Sequence, residues 1–140
     1  MKIVNNFPAV VTLDKIYFDK LEFQREENIL SDELNVSFKK SVDELAGQDN
    51  KYSVSLQCTI EDQTHHSLRI FASMVGIFEC HSEDPGLLNT LINENTFAIM
   101  FPFLRSQISL MTTQPDMSPV ILPPMNINNL LSGIDQTNKS

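Results

Sequence analysis

Three histidines and a cysteine come closest, among the side chains of this sequence, to a metal-binding pattern. His65 and His66 are adjacent, and Cys80 directly precedes His81. Structural zinc sites take two pairs of ligands, and the members of a pair lie a few positions apart. Adjacent residues on a strand instead point to opposite faces. We therefore expect solvated turn histidines, with no metal site and no cofactor.

Paired carboxylates are the second group that could do chemistry, as a general acid and its base. The pairs are Glu26-Glu27, Glu61-Asp62 and Glu83-Asp84. All three fall in predicted turns, where no companion base accompanies them. The 4 glycines are too dispersed for a phosphate-binding loop, and the sequence contains no nucleophile elbow. We expect these carboxylates to favour solubility, and we predict that the protein is not an enzyme.

Length and charge narrow the class of partner. The 140 residues fit one domain over 1–140, and a hydrophobic fraction of 41% is ordinary for a globular protein. The formal net charge is -8. Because phosphate binding needs clustered lysines and arginines, we do not expect a nucleic acid as partner.

The cysteines and the apolar runs indicate the compartment. Cys58 and Cys80 are the 2 cysteines of a sequence without a signal-peptide pattern, so we predict free thiols. No apolar run approaches the roughly 18 residues of a membrane span. We expect a cytoplasmic protein with no membrane insertion.

Alternation of apolar and polar residues predicts four β-strands. It is clearest from Tyr52 to Ile60, where every second residue is apolar, and it recurs over Leu34-Val36-Phe38 and from Leu68 to Met74, on either side. The segment from Leu13 to Phe23 changes phase, which predicts a bulge near Asp19-Lys20. Short polar turns between these segments predict an antiparallel sheet with one covered face.

Helical spacing replaces alternation after Cys80. A stripe of apolar residues steps 4-3-4-3, and it consists of Phe97, Phe101, Leu104, Ile108 and Met111. Such a stripe is typical of a core or of an oligomer interface, and we assign it to an oligomer interface. Pro102 either kinks this helix or marks its early turns. The predicted fold class is α+β, with a four-stranded antiparallel sheet followed by C-terminal helices packed on one face.

Prolines shape the rest of the sequence. Pro115, Pro119, Pro123 and Pro124 predict an extended connector over 114–125. A short helix bracketed by Asn126 and Gly133 follows, with Ile127, Leu130 and Leu131 on one face. Connector and helix either cover a groove or simply pack on the core. A disordered tail is expected over about 134–140.

Several segments together resemble the SecB protein-export chaperone family. They are Lys15-Ile16-Tyr17 leading to Phe23, Lys51-Tyr52-Ser53-Val54-Ser55-Leu56, Gly76-Ile77-Phe78, Met100-Phe101-Pro102-Phe103-Leu104-Arg105 and Leu122-Pro123-Pro124-Met125-Asn126-Ile127. The resemblance covers roughly residues 12 to 131. It implies a single SecB-like domain that forms a homotetramer, a dimer of dimers, and holds unfolded polypeptide clients without ATP.

The resemblance also implies a client-binding groove, formed by the connector, the short helix and the loop that crosses between the first two strands. Its residues here are Leu34, Val36, Phe38, Leu122, Met125, Ile127, Leu130 and Leu131. Three functions follow as alternatives. They are a holdase chaperone in protein export, a chaperone dedicated to the antitoxin of a toxin-antitoxin system, and a non-chaperone scaffold that binds one folded partner.

The sequence departs from the family at the positions that correspond to the acidic docking site for the translocase ATPase. They read Lys20, Gln24 and Phe71. The charges that support docking are absent from these positions, so the docking of the translocase ATPase is left open.

Overall fold

Four strands and two helices make up the part of the chain that the computed structural model describes, residues 9–30 and 32–125. The strands are β1 (Ala9–Arg25), β2 (Asn35–Glu44), β3 (Lys51–Glu61) and β4 (Leu68–Ser82). The helices are α1 (Pro85–Thr90) and α2 (Thr96–Met111), and a π-helical turn (Leu91–Asn95) joins them. The predicted short helix after Asn126 and the predicted tail lie outside the described residues.

The strands form one antiparallel sheet in the order β1-β4-β3-β2. One face of β3 is buried, with the even-numbered residues from Tyr52 to Ile60, while the residues between them are half-buried. The strands β2 and β4 flank β3, as the sequence predicts. Helix α2 lies on the buried face, so the predicted α+β fold is confirmed.

Two bulges keep the long edge strand β1 in phase with its neighbour. The register with β4 shifts across Asp14 and again across Asp19. Because each bulge adds one residue, Leu13, Phe18 and Phe23 all lie opposite buried residues of β4 despite their different parity. The predicted bulge at Asp19 is confirmed, and the one at Asp14 was not predicted.

The helix α2 covers the sheet with the apolar stripe that the sequence assigned to an oligomer interface. Phe97, Phe101, Leu104 and Ile108 belong to the core, and the most exposed of them, Phe101, is 7% exposed. The ring of Phe101 lies 6.2 Å from the ring of Phe38 on β2. These four residues therefore cover the sheet of their own chain, and the predicted oligomer interface stays a prediction. Met111 is half-buried against the same core.

The opposite side of α2 is also apolar. Ile99, Phe103, Ser106 and Leu110 follow one another at 4-3-4 spacing and therefore share one side of the helix, which we term the outer stripe. Phe103 is 49% exposed and Leu110 is 68% exposed. Pro102 lies inside α2, six positions after Thr96, so it does not start this helix.

Close packing around β4 favours a glycine at position 76. A Cβ atom there would lie 2.5 Å from the ring of Phe78 on the same strand and 3.1 Å from the sulfur of Met100 on α2. Both neighbours are fully buried. Gly76 thus leaves room for the Phe78 ring, and Met100 of α2 packs close to the same position.

Two further core features concern ionisable groups. Lys40 lies opposite Leu56 on the covered face, and its ammonium group donates to the carbonyl of Asn93 in the π-helical turn. Burial lowers the pKa of Lys40, and the nearby Glu94 partly offsets this lowering.

Cys58 and Cys80 are buried free thiols, as predicted, and burial raises their pKa values to about 12 and about 11.

Candidate binding cleft

An open cleft of about 830 Å³ lies between two irregular segments at one end of the sheet. One wall is the crossing loop between β1 and β2, of which residues 26–30 and 32–34 are described. The other wall is the connector, residues 114–125, which follows α2. The apolar lining residues are Ile29, Leu34, Leu68, Met117 and Val120, and the charged ones are Arg25, Glu27, Asp32 and Asp116. The volume lies within the range of about 300–1,000 Å³ that is usual for ligand pockets.

A buried carboxylate holds the crossing loop through Ser67. The Oδ1 atom of Asp62 accepts from the N–H groups of Thr64 and His65, both at 3.1 Å. Its Oδ2 atom accepts from the hydroxyl group of Ser67 at 2.5 Å. Ser67 in turn accepts the N–H of Leu30 at its Oγ atom, at 3.2 Å, and the N–H of Glu26 at its backbone oxygen, at 2.9 Å.

These hydrogen bonds make stability depend on the charge of Asp62. The Ser67 hydroxyl group, with the N–H groups of His65, Ser67 and Thr64, lowers the pKa of Asp62 from 3.8 to about 2. Because the folded state binds its proton less readily than the unfolded state, this contribution is fully present above about pH 4. It is lost as the pH falls toward about 2.

We expect the substitution Asp62→Asn to lower the free energy of unfolding at pH 7, because the amide cannot accept all the N–H and O–H groups that face the carboxylate. It should also flatten the fall in stability between about pH 4 and about pH 2. Urea unfolding at a series of pH values measures both effects, with Glu61→Gln as the neighbouring control. If the free energy of unfolding of Asp62→Asn fell as steeply below about pH 4 as that of the wild type, the pH dependence would not come from Asp62.

Arg25 joins the two walls at one end of the cleft. Its guanidinium group donates to the carbonyls of Glu26 and Glu27 in the crossing loop, at 3.0 and 2.9 Å. It also reaches the carbonyls of Pro115 and Asp116 in the connector, both at 3.5 Å. The cationic group is therefore turned toward backbone carbonyls, while the other charged residues of the lining are carboxylates.

The connector is held by Thr112 and Leu122. The hydroxyl group of Thr112 donates to the carbonyl of Ile108 and accepts the N–H of Val120, both at 2.8 Å. Ser109 donates from its hydroxyl group to the carbonyl of Val120 at 3.4 Å. Leu122 is 1% exposed and belongs to the core. The connector thus has no regular secondary structure, as predicted, but it is fixed at several points.

The structure distributes the predicted groove residues over several environments. Leu34 lines the cleft, whereas Phe38 and Met125 are half-buried against the core, and Val36 is exposed on β2. Leu122 is buried in the core, where its side chain fixes the connector to the domain, and its predicted place in the groove stays a prediction. Three of the predicted residues lie outside the described part of the chain: Ile127, Leu130 and Leu131.

Most of the residues that line this cleft are not among the predicted groove residues. Ile29, Met117 and Val120 occur in irregular segments, where periodicity carries no information about which way a side chain points. The available signal is the presence of large apolar residues between prolines and charges, which is unusual for exposed loops.

Two of the three histidines occupy the turn that was expected. His65 and His66 are exposed between β3 and β4, whereas His81 lies on β4, 3.4 Å from Glu79. Over residues 9–30 and 32–125, no three His, Cys, Asp or Glu side chains form a group that could hold a metal ion. The same part of the chain contains no helix that is long and apolar enough to cross a membrane.

The outer face of the sheet brings together the three positions that depart from the family pattern. Lys20, Gln24 and Phe71 lie on adjacent strands, β1 and β4. Lys20 forms an ion pair with Glu22 at 2.9 Å, and Arg69 pairs with the same carboxylate at 3.1 Å. Both cations lie within 6 Å of the Phe71 ring, at 5.8 and 5.9 Å. This patch therefore carries mixed charge around an aromatic ring.

A four-stranded sheet covered by one helix, with a cleft between a loop and a proline-rich connector, defines an α+β domain. The family model described as preprotein translocase subunit SecB matches residues 6–137. The chain therefore belongs to the SecB family, as its sequence indicates.

Solved structures share this fold. One is the SecB-like chaperone of Mycobacterium tuberculosis in complex with a ChAD peptide from the antitoxin HigA1, with a TM-score of 0.67 and 12% identity over 83% of this chain and 88% of that chain. Another is a protein of unknown function from Streptococcus agalactiae, with a TM-score of 0.55 and 13% identity, covering 83% and 98%. An uncharacterized protein of Methanocaldococcus jannaschii is 26% identical over 106 residues, which cover 74% of this chain and 68% of that protein.

Proposed function

We propose that this protein is an ATP-independent holdase chaperone that binds unfolded or aggregation-prone polypeptides in the cleft. The observation that carries the proposal is the open cleft between the crossing loop and the connector, whose mixed lining places Ile29, Met117 and Val120 among charged and polar residues. Family membership supports it, since the SecB family is a family of chaperones rather than enzymes. The antitoxin peptide bound by the Mycobacterium tuberculosis neighbour supports a polypeptide as the ligand.

The cleft suits clients without a fixed structure. Unfolded chains offer scattered apolar side chains, and several weak contacts along one tether combine into useful avidity. Met117 contributes an adaptable side chain that accommodates different shapes. A protein that binds the unfolded state preferentially delays folding by mass action, without consuming ATP.

We also propose a cytoplasmic homotetramer, a dimer of dimers, in which the outer stripe of α2 contacts a second chain. Phe103 and Leu110 are large apolar side chains that their own chain leaves exposed. Burying them against a symmetry mate is the usual way in which such a stripe is stabilised.

A second candidate function is that of a chaperone dedicated to an antitoxin, and the outer face of the sheet favours this function over protein export. Lys20, Gln24 and Phe71 make that face unlike the acidic docking site of the export chaperones. The proposed antitoxin role requires the cleft but no docking site for the translocase ATPase. A pull-down with the translocase ATPase separates the two: retention of the ATPase supports export, whereas no retention with client binding intact supports the dedicated role.

The holdase proposal predicts that the purified protein suppresses aggregation of an unrelated unfolded polypeptide without nucleotide. At a several-fold molar excess of the proposed tetramer, light scattering from a chemically denatured and diluted client should fall by more than about half. Added ATP should change nothing. Unchanged aggregation at this excess would refute the holdase function and favour the scaffold that binds one folded partner.

A further inference from the structure

Two buried hydroxyl groups hold the two walls of the cleft. The N–H of Leu30, in the crossing loop, donates to Oγ of Ser67 at 3.2 Å. The N–H of Val120, in the connector, donates to Oγ1 of Thr112 at 2.8 Å. Neither Leu30 nor Val120 belongs to a strand or helix, so no backbone ladder fixes the walls at these points.

Each hydroxyl group is itself oriented by the acceptor to which it donates its proton. Ser67 donates its proton to the buried carboxylate of Asp62, and Thr112 donates its proton to the carbonyl of Ile108. Since a hydroxyl group has one proton, that donation leaves its lone pairs for the N–H of the wall. The two sides of the cleft thus use the same arrangement, built from unrelated parts of the chain.

We propose that Ser67 and Thr112 are positioning residues of the client cleft, which set its width by fixing the crossing loop and the connector. This inference rests on the proposed function, because it assigns the two residues to the site where clients bind. A wall that is already ordered loses less conformational freedom when a client binds. Without its hydroxyl group a wall would have to be ordered by the client, which weakens binding.

Thr112 allows a test that separates the hydroxyl group from packing. The substitution Thr112→Val keeps the shape and removes the hydrogen bonds, whereas Thr112→Ser keeps the hydroxyl group and removes the methyl group. Thr96→Val is the matched control, because Thr96 is equally buried in α2 and donates to Ile92 at 2.6 Å. Its hydroxyl group donates to the preceding π-helical turn rather than contacting the connector.

The measurements are client affinity and amide hydrogen exchange. The probe is a labelled, reduced and carboxymethylated α-lactalbumin, which stays unfolded, and its binding is followed by fluorescence anisotropy. Thr112→Val should weaken binding and speed exchange at Val120, each by about fivefold, which corresponds to one lost hydrogen bond. Thr112→Ser and Thr96→Val should stay within about twofold of the wild type in both measurements.

Ser67 supplies an independent variant on the other wall. Ser67→Ala should speed exchange at Leu30 and weaken binding by about fivefold, whereas Ser73→Ala, at a buried serine of β4, should do neither. The proposal is overturned if Thr112→Val binds the client within about twofold of wild type, or if Thr112→Ser loses as much affinity as Thr112→Val. Failure of the proposed function looks different, because the wild-type protein would then bind no client.

Discussion

The double substitution Ile29→Asp and Val120→Asp is expected to weaken client binding by at least about tenfold and to abolish aggregation suppression. The two residues line opposite walls of the cleft and are half-buried in the free chain. Burial of one large apolar side chain is worth about 1.5–3 kcal/mol, and about 1.4 kcal/mol corresponds to a tenfold change in affinity. A carboxylate at these positions would also have to be desolvated by the bound client.

The chain offers a matched control for each substitution. Leu30 follows Ile29 in the crossing loop and Ile121 follows Val120 in the connector, and they are 63% and 69% exposed. The double substitution Leu30→Asp and Ile121→Asp therefore adds the same charges to the same segments without altering the lining. Anisotropy titrations with the unfolded client compare the two, and thermal melts identify any loss of folding. Equal affinity in both double variants would place client binding elsewhere on the molecule.

The double substitution Phe103→Glu and Leu110→Glu is expected to reduce the assembly from about four chains to one or two. Both side chains are exposed in the single chain, so their replacement leaves its core intact. In the proposed tetramer they are buried against another chain, where like charges repel and carboxylates lose their hydration. Multi-angle light scattering after size-exclusion chromatography measures the change, and circular dichroism checks the fold.

Arg105→Glu is the control for assembly, because Arg105 is exposed on a different side of the same helix. It changes the charge of α2 but lies away from the outer stripe, so the mass should stay at the wild-type value. If Phe103→Glu and Leu110→Glu leave the mass unchanged, the contact between chains does not use this side of α2. A wild-type protein that is monomeric would remove the proposed tetramer altogether.

The sheet could be predicted because apolar and polar residues alternate along its strands. From Tyr52 to Ile60 a single period of two decides which residues are buried, and the phase change before Phe23 correctly required a bulge at Asp19. The helix α2 was harder, because it is apolar on more than one side. Spacing alone groups Phe97 with Phe101, but it cannot decide whether such a group covers its own sheet or a second chain.

The cleft could be predicted only at the level of elements. The family resemblance implied a groove at the crossing loop and the connector, which stays a prediction, and the residues that line the observed cleft have no periodic pattern. The hydrogen bond from Leu30 to Ser67 spans 37 positions in the sequence, so no local rule would pair them. The same holds for Thr112, because the N–H of Val120 reaches its hydroxyl group only where the proline-rich segment turns back toward α2.

The buried thiols have a consequence for a protein that handles unfolded chains. Such clients carry exposed cysteines, and the attacking species in disulfide exchange is a thiolate. Cys58 and Cys80 lie inside the sheet core, and their raised pKa values keep them protonated at neutral pH. In the proposed complex a cysteine-containing client would therefore form no mixed disulfide with these two thiols, and its binding would stay reversible when the surroundings become oxidising.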